Sequence, residues 1–227
     1  MTSDSHEGVA DPERALMLAY VPAEKRPALT TLWRLDERLG GVVGSTRETM
    51  IGHIRLAWWR EALEALDMKG APAEPLLRDV AAHILPKGIS GAELAELEAG
   101  WAMLLETDPP DPEAIAAHGR ARGRPLFSLA ARLLVGSEDE MAAIAGEGWA
   151  LADLSYRLLD PAGRTMARRL AAERLRGVAG RRWPAPLRPL GMLAALARRD
   201  AASEAAVRRQ GAPGRVARML AHRFTGR

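Results

Sequence analysis

The sequence predicts an all-α protein, a single-domain, largely antiparallel bundle of eight to ten helices. Three observations point there. Apolar residues recur at i, i+3 and i+4 along most of the chain. No stretch alternates β-branched residues at period two, and no Asn-Gly turn joins two such stretches. With 227 residues, 48% of them hydrophobic, the chain can bury one real core.

Residues 1–10 read as a disordered start, which leaves 11–227 as the folded domain. A first helix runs from Asp11 or Pro12 to Tyr20. Asp11 is its cap, and Pro12 sits in the first turn, where a missing N–H costs nothing. Val21-Pro22 ends it. A second helix is expected from about Ala23 to Val43, on the spacing of Leu29, Leu32, Trp33, Leu35 and Leu39. Gly40, Gly41 and Gly44 weaken its end, each by roughly 1 kcal/mol against alanine. The third helix, Thr49 to Asp67, reads as the central one. Ile51, Ile54, Trp58, Ala62 and Ala65 form one apolar face; Leu56, Trp59, Leu63 and Leu66 form another beside it. Together they are wider than the roughly 100° stripe of a surface helix, so neighbours are expected on two sides.

Gly70 to Pro75 is a linker, and Pro75 to Leu85 a short helix. Ser90 and Glu93 have capping-box spacing and open a helix through Trp101 to Glu106. Asp108 to Pro112 is a proline-rich loop. Glu113 to Val135 is helical in two pieces, with a kink near Gly123–Pro125. Ser137 to Leu159 follows and stops at Asp160-Pro161. A basic helix covers Arg164 to Val178, and Trp183 to Pro186 is extended. Leu187–Arg199 and Arg215–Arg223 complete the bundle.

Composition narrows the chemistry. There is no cysteine, which excludes disulfides and thiolate metal sites. Five scattered histidines show no ligand spacing. No phosphate-binding Walker loop, Gly-x-Gly-x-x-Gly or His-Glu-x-x-His occurs. No apolar run approaches the roughly 20 residues of a membrane span, and the N-terminus lacks a secretory pattern, so a cytoplasmic location is expected. Net charge is +3 but unevenly spread: residues 161–227 carry 16 arginines and three acids, a net of +13, against −10 for the rest. That third is either a well-solvated surface or a basic face for an anionic membrane, a diphosphate or an acidic protein. Nucleic acid fits poorly, because only Trp183 and Phe224 are there to stack on bases. Glu61, Glu64 and Asp67 read as the solvated edge of their helix.

Leu32-Trp-Arg-Leu-Asp-Glu-Arg-Leu-Gly-Gly-Val-Val-Gly44, followed by Met50-Ile-Gly-His-Ile-Arg-Leu-Ala-Trp-Trp-Arg-Glu-Ala-Leu63, resembles the N-terminal half of the squalene/phytoene synthase family. His118–Phe127, Gly146–Leu159 and Trp183–Leu190 are similar to later blocks of that family. The resemblance implies the all-α isoprenoid synthase fold. It also implies a chemistry: two prenyl diphosphates joined head to head. Two helices with acids at i and i+4 hold Mg²⁺ against the diphosphate, because hard divalent ions want carboxylate oxygens on one helical face.

Laid on the family's Asp-Asp-x-x-Asp pattern, the acidic positions here are Gly40, Gly41 and Gly44. The closest acids are Asp36 and Glu37, one turn earlier. In the second block the acids are Asp153 and Asp160, seven apart and about 20° off one face. These four are the candidate metal ligands. Arg34, Arg38, Arg55, Arg120, Arg122 and Arg157 are candidate phosphate binders, since guanidinium grips phosphate bidentately. Trp59 could stack on Arg55. His118 stands where the family often has tyrosine.

A Trp-Trp pair without the aspartates resembles a divergent branch that includes a mitochondrial complex I assembly factor and its bacterial relatives. The expectation is therefore a catalytically degenerate protein that binds isoprenoid or lipid, or assists respiratory-complex assembly, peripherally at the inner face of a membrane. No cofactor is expected on that reading. The alternative is an active prenyl diphosphate transferase, with Mg²⁺. In a third possibility the old cavity is filled by Trp33, Trp58, Trp101 and Trp149.

Overall fold

The computed structural model describes residues 8–106 and 110–227. Residues 1–7 of the expected disordered start, and 107–109 at the start of the expected loop, lie outside the described residues. Among those described are twelve α-helices and no strand. The surplus over the expected number comes mainly from long helices divided in two.

α1 (Pro12–Ala19) begins where Asp11 accepts from the amides of Glu13 and Arg14. α2 (Arg26–Ser45) runs through Gly40 and Gly41 without a break, and α3 (Thr49–Ala65) follows a short turn. α4 (Pro75–His83) leads to the Ser90 cap. Ser90 and Glu93 bond reciprocally there as a capping box. Asp67 supplies a second cap, accepting from the amides of Gly91 and Ala92. The helix expected from Ser90 to Glu106 is split into α5 (Gly91–Ala95) and α6 (Leu97–Ala102).

α7 (Pro112–His118) and α8 (Arg124–Val135) are joined by a π-helical turn, Gly119–Gly123. Pro125 explains it. Proline has no N–H for the regular ladder, and its ring clashes with the carbonyl four residues back. One wide turn, closed by the Arg124 amide on the Gly119 carbonyl, relieves both. α9 (Glu140–Leu154), α10 (Pro161–Arg176), α11 (Arg188–Ala201) and α12 (Pro213–Thr225) complete the chain.

α3 is not the central helix. Gly52, Leu56, Trp59 and Leu63 are buried against α2, α5 and α6. The neighbouring face, with Met50, Ile51, Ile54 and Trp58, is open, and Trp58 is 47% exposed. Trp58 therefore does not fill the interior. The centre belongs to α9, where thirteen of fifteen residues are buried. α8, α10, α11 and the π turn surround it. Alanines and glycines let the neighbours close in from every side. A Cβ on Gly146 would lie 2.2 Å from the carbonyl oxygen of Gly123 in the π turn, so only glycine fits at that crossing.

Trp33, Phe127 and Trp149 meet in the core edge to face or tilted, with ring centroids 5.3–5.9 Å apart. Such pairs add about 0.5–1.5 kcal/mol each beyond their buried area.

Candidate functional site

At the centre of the bundle, where α2, α6, the π turn and α9 meet, stands a guanidinium. Arg122 has no solvent exposure. Its Nε and Nη2 donate to the two oxygens of Asp36, at 2.8 and 2.9 Å. Its Nη1 donates to Asp153 Oδ2 at 2.9 Å. Its carbon lies 4.0 Å from the Trp101 ring centroid and 4.7 Å from that of Trp149, so the cation is sandwiched by aromatic faces. Two carboxylates from facing helices do converge here. The cation between them is a side chain.

Every oxygen of the two carboxylates is engaged. Asp36 Oδ1 also accepts from Trp101 Nε1 at 3.1 Å, and Arg14 Nη1 stands 3.5 Å from Oδ2. Asp153 Oδ2 also accepts from Arg157 Nε at 2.9 Å, and Oδ1 from Arg208. The ion pairs continue outward. Arg14 reaches Glu37; Arg208 reaches Asp200; Arg215 bridges Asp200 and Glu13. Arg14, Arg122, Arg157, Arg208 and Arg215 thus balance Glu13, Asp36, Glu37, Asp153 and Asp200. Paired and hydrogen-bonded in this way, buried charges are tolerable; unpaired they are costly.

The ionisation of the centre follows. Burial alone would raise the pKa of Asp36 and Asp153. For Asp36, Arg122 and then Arg14 overcome it and hold the carboxyl below its ordinary range. For Asp153, Arg157, Arg122 and Arg208 do so more strongly. Arg122 is driven further toward its charged form by both carboxylates, against its burial. His118 is pushed down to about 3 by burial and by Arg122. It is therefore neutral. Its partners fix the tautomer: Nδ1–H donates to the Gly100 carbonyl at 2.6 Å, and Nε2 faces Arg122 Nη1 at 3.5 Å.

Glycines place these groups. A Cβ on Gly100 would lie 2.6 Å from the Arg122 backbone nitrogen, so α6 and the π turn cross in contact. Gly40 holds the first position of the acidic pattern. The Trp101 ring occupies the space its side chain would need, at 2.7 Å from an ideal Cβ. The gap left beside Arg14, Trp149 and Asp153 is about 10 Å³, room for one water.

The remaining sequence-derived candidates do not bond Arg122, and all but Glu37 lie apart from the central ion pairs. Arg34 pairs with Asp79 at 2.6 Å, Arg38 with Glu74 at 3.5 Å, and Arg120 with Glu113 at 2.8 Å. Arg55 bonds the hydroxyls of Ser45 and Thr46 at the end of α2. Trp59 is buried beside Trp58, under Arg38 rather than Arg55. Glu37 ties α2 to the start of α1 through Arg14 and the Ala10 amide. Asp160 does not share a face with Asp153. α9 ends at Leu154, and Asp160 caps α10 by accepting from the Gly163 amide.

The donor set does not suit Mg²⁺. That ion wants near-octahedral oxygen ligands, whereas the oxygens of Asp36 and Asp153 are taken by arginine and tryptophan donors. Among the described residues, no group of three or more His, Asp or Glu could share an ion. Trp101 was read from sequence only as a filler of the interior; Arg14, Arg208 and the Glu13–Arg215–Asp200 bridge were not singled out by sequence. Arg14 alone left a trace there, because it falls on the face of α1 that also carries Met17 and Leu18.

The described residues form an all-α bundle of the isoprenoid synthase type. The family model of squalene/phytoene synthase matches residues 9–158, more than half of the chain. The chain belongs to the squalene/phytoene synthase family. Comparison with curated proteins and with solved structures found no match.

Proposed function

We propose that this chain is a non-catalytic member of its family, an accessory protein of the assembly type working at the inner face of a membrane. One observation carries the reading: Arg122 occupies the position between Asp36 and Asp153 and saturates them. A catalytic centre of this family has to hold ions against a diphosphate and leave room for two prenyl chains. Here Trp33, Trp101, Trp149 and Phe127 fill the interior beside the ion pairs. What remains for the fold is recognition. The open apolar stripe of α3 and the arginine-rich C-terminal third support contact with a membrane or a membrane-bound partner. No described helix is long and apolar enough to cross a membrane.

The test is incubation of purified protein with Mg²⁺ and farnesyl or geranylgeranyl diphosphate, followed by measurement of released diphosphate. No release above a protein-free control is expected. Release that Asp36→Asn and Asp153→Asn abolish, in variants that remain folded, would overturn the proposal in favour of an active transferase.

A further inference from the structure

Beyond the matched stretch, α11 and α12 enclose a cavity of about 390 Å³ with the loop after α10. Arg181, Arg198, Arg218 and Arg227 line it, and no acidic residue does. Elsewhere, arginines of the bundle meet carboxylates: Arg34, Arg120, Arg124 and Arg132 all pair on or near the surface. None of the four cavity arginines forms an ion pair among the described residues. Converging guanidinium groups repel one another, and an anion between them relieves that repulsion.

A second, independent observation points the same way. His222, on α12, lines this cavity and is only 4% exposed. Its Nε2 is buried without a hydrogen-bond partner among the described residues. It lies against Gly191, another lining residue, where an added Cβ would approach it to 2.0 Å. Trp183 packs edge-on against the imidazole at 5.9 Å. A buried polar atom without a partner is costly, and this one belongs to a residue that lines a basic cavity.

We infer that this cavity binds a phosphoryl group, carried either by a small soluble molecule or by the headgroup of an anionic lipid. The chemistry fits: guanidinium forks match phosphate oxygens, and the volume is that of a small-ligand site. The site does not depend on the non-catalytic reading, because it lies outside the central cluster and shares no residue with it.

Two probes separate the sources. Inorganic pyrophosphate is titrated calorimetrically into the full chain. In parallel, the protein is sedimented with phosphatidylcholine vesicles with and without phosphatidic acid. The test variant is Arg198→Gln/Arg218→Gln; both side chains are exposed and unpaired, so folding is preserved. The control is Arg169→Gln/Arg176→Gln, which removes the same charge from exposed positions on α10.

Pyrophosphate binding that weakens at least tenfold, on the order expected for losing two charge-assisted contacts, in the test variant but not in the control supports the site with a soluble ligand. It should also move the ring-nitrogen resonances of His222. Vesicle binding that needs phosphatidic acid and shows the same variant pattern supports it with a lipid. Failure of both probes to bind would overturn the inference. So would equal loss in the control variant, because attraction would then reside in total charge rather than in this cavity.

Discussion

Replacing Arg122 by Met removes the central cation while keeping most of the side-chain volume. Asp36 then loses two hydrogen bonds, of 2.8 and 2.9 Å, and keeps Trp101 Nε1 and the more distant Arg14. Asp153 loses one bond and keeps Arg157 and Arg208. Breaking a buried pair from one side costs about 3–5 kcal/mol. For a chain of this length that lowers the melting temperature by roughly 6–20 °C. Urea unfolding followed by tryptophan fluorescence measures the loss directly, since Trp33, Trp101 and Trp149 are all buried. The loss carries a pH signature. Without Arg122, burial raises the Asp36 carboxyl above its ordinary range. The variant then gains stability relative to wild type as pH falls through that raised value, because the neutral acid no longer needs a cation. Asp36→Asn combined with Arg122→Met removes both charges, keeps an acceptor for Trp101, and should recover much of the loss. A deficit below about 1 kcal/mol, or a double variant no more stable than Arg122→Met alone, would refute the account of Arg122 as the internal counterion.

Three further outcomes are expected. His118 is held at about 3, below its ordinary 6.5, so the unfolded chain takes up its proton first. Its contribution is complete above pH 6.5 and is lost as pH falls toward 3; His222, held at about 4, adds in the same direction. Unfolding free energy measured across that window should fall, and fall less steeply in His118→Gln. Gly123→Ala drives a methyl to 2.1 Å from the Gly146 carbonyl oxygen and should cost about 3 kcal/mol or more, read as a lower urea midpoint. Ile54→Glu/Trp58→Glu should leave the unfolding free energy within about 1 kcal/mol of wild type, since both positions are exposed. The same variant should lose cosedimentation with vesicles or membrane fractions; unchanged cosedimentation would remove α3 from the contact.

Local signals were legible in the sequence. The Asp11 cap, the Ser90–Glu93 box and the break near Gly123–Pro125 lie where spacing put them, because each is decided by neighbours within a turn. The central helix was misplaced for a physical reason. α3 carries large apolar residues on two faces, and periodicity cannot tell a face that needs a neighbour from one that stays open. α9 is rich in alanine and glycine, which look weak as apolar anchors yet permit the closest packing. Asp36 and Asp153 were singled out as acids on facing helices, and the structure brings them together. That Arg122 stands between them was not readable. It lies 86 residues from Asp36 and 31 from Asp153, and only the π turn and the crossing at Gly100 carry its side chain inward.

The bridge from Glu13 to Arg215 has a consequence for how the chain is made. Its partners are 202 residues apart, on the first and last helices. On a ribosome adding about 5–20 residues per second, α1 emerges roughly 10–40 s before α12 exists. Throughout that interval Glu13 lacks the guanidinium it is buried against in the finished protein, and an unpaired carboxylate resists burial. The pairing that makes the burial of Glu13 tolerable thus becomes available only when the last helix arrives.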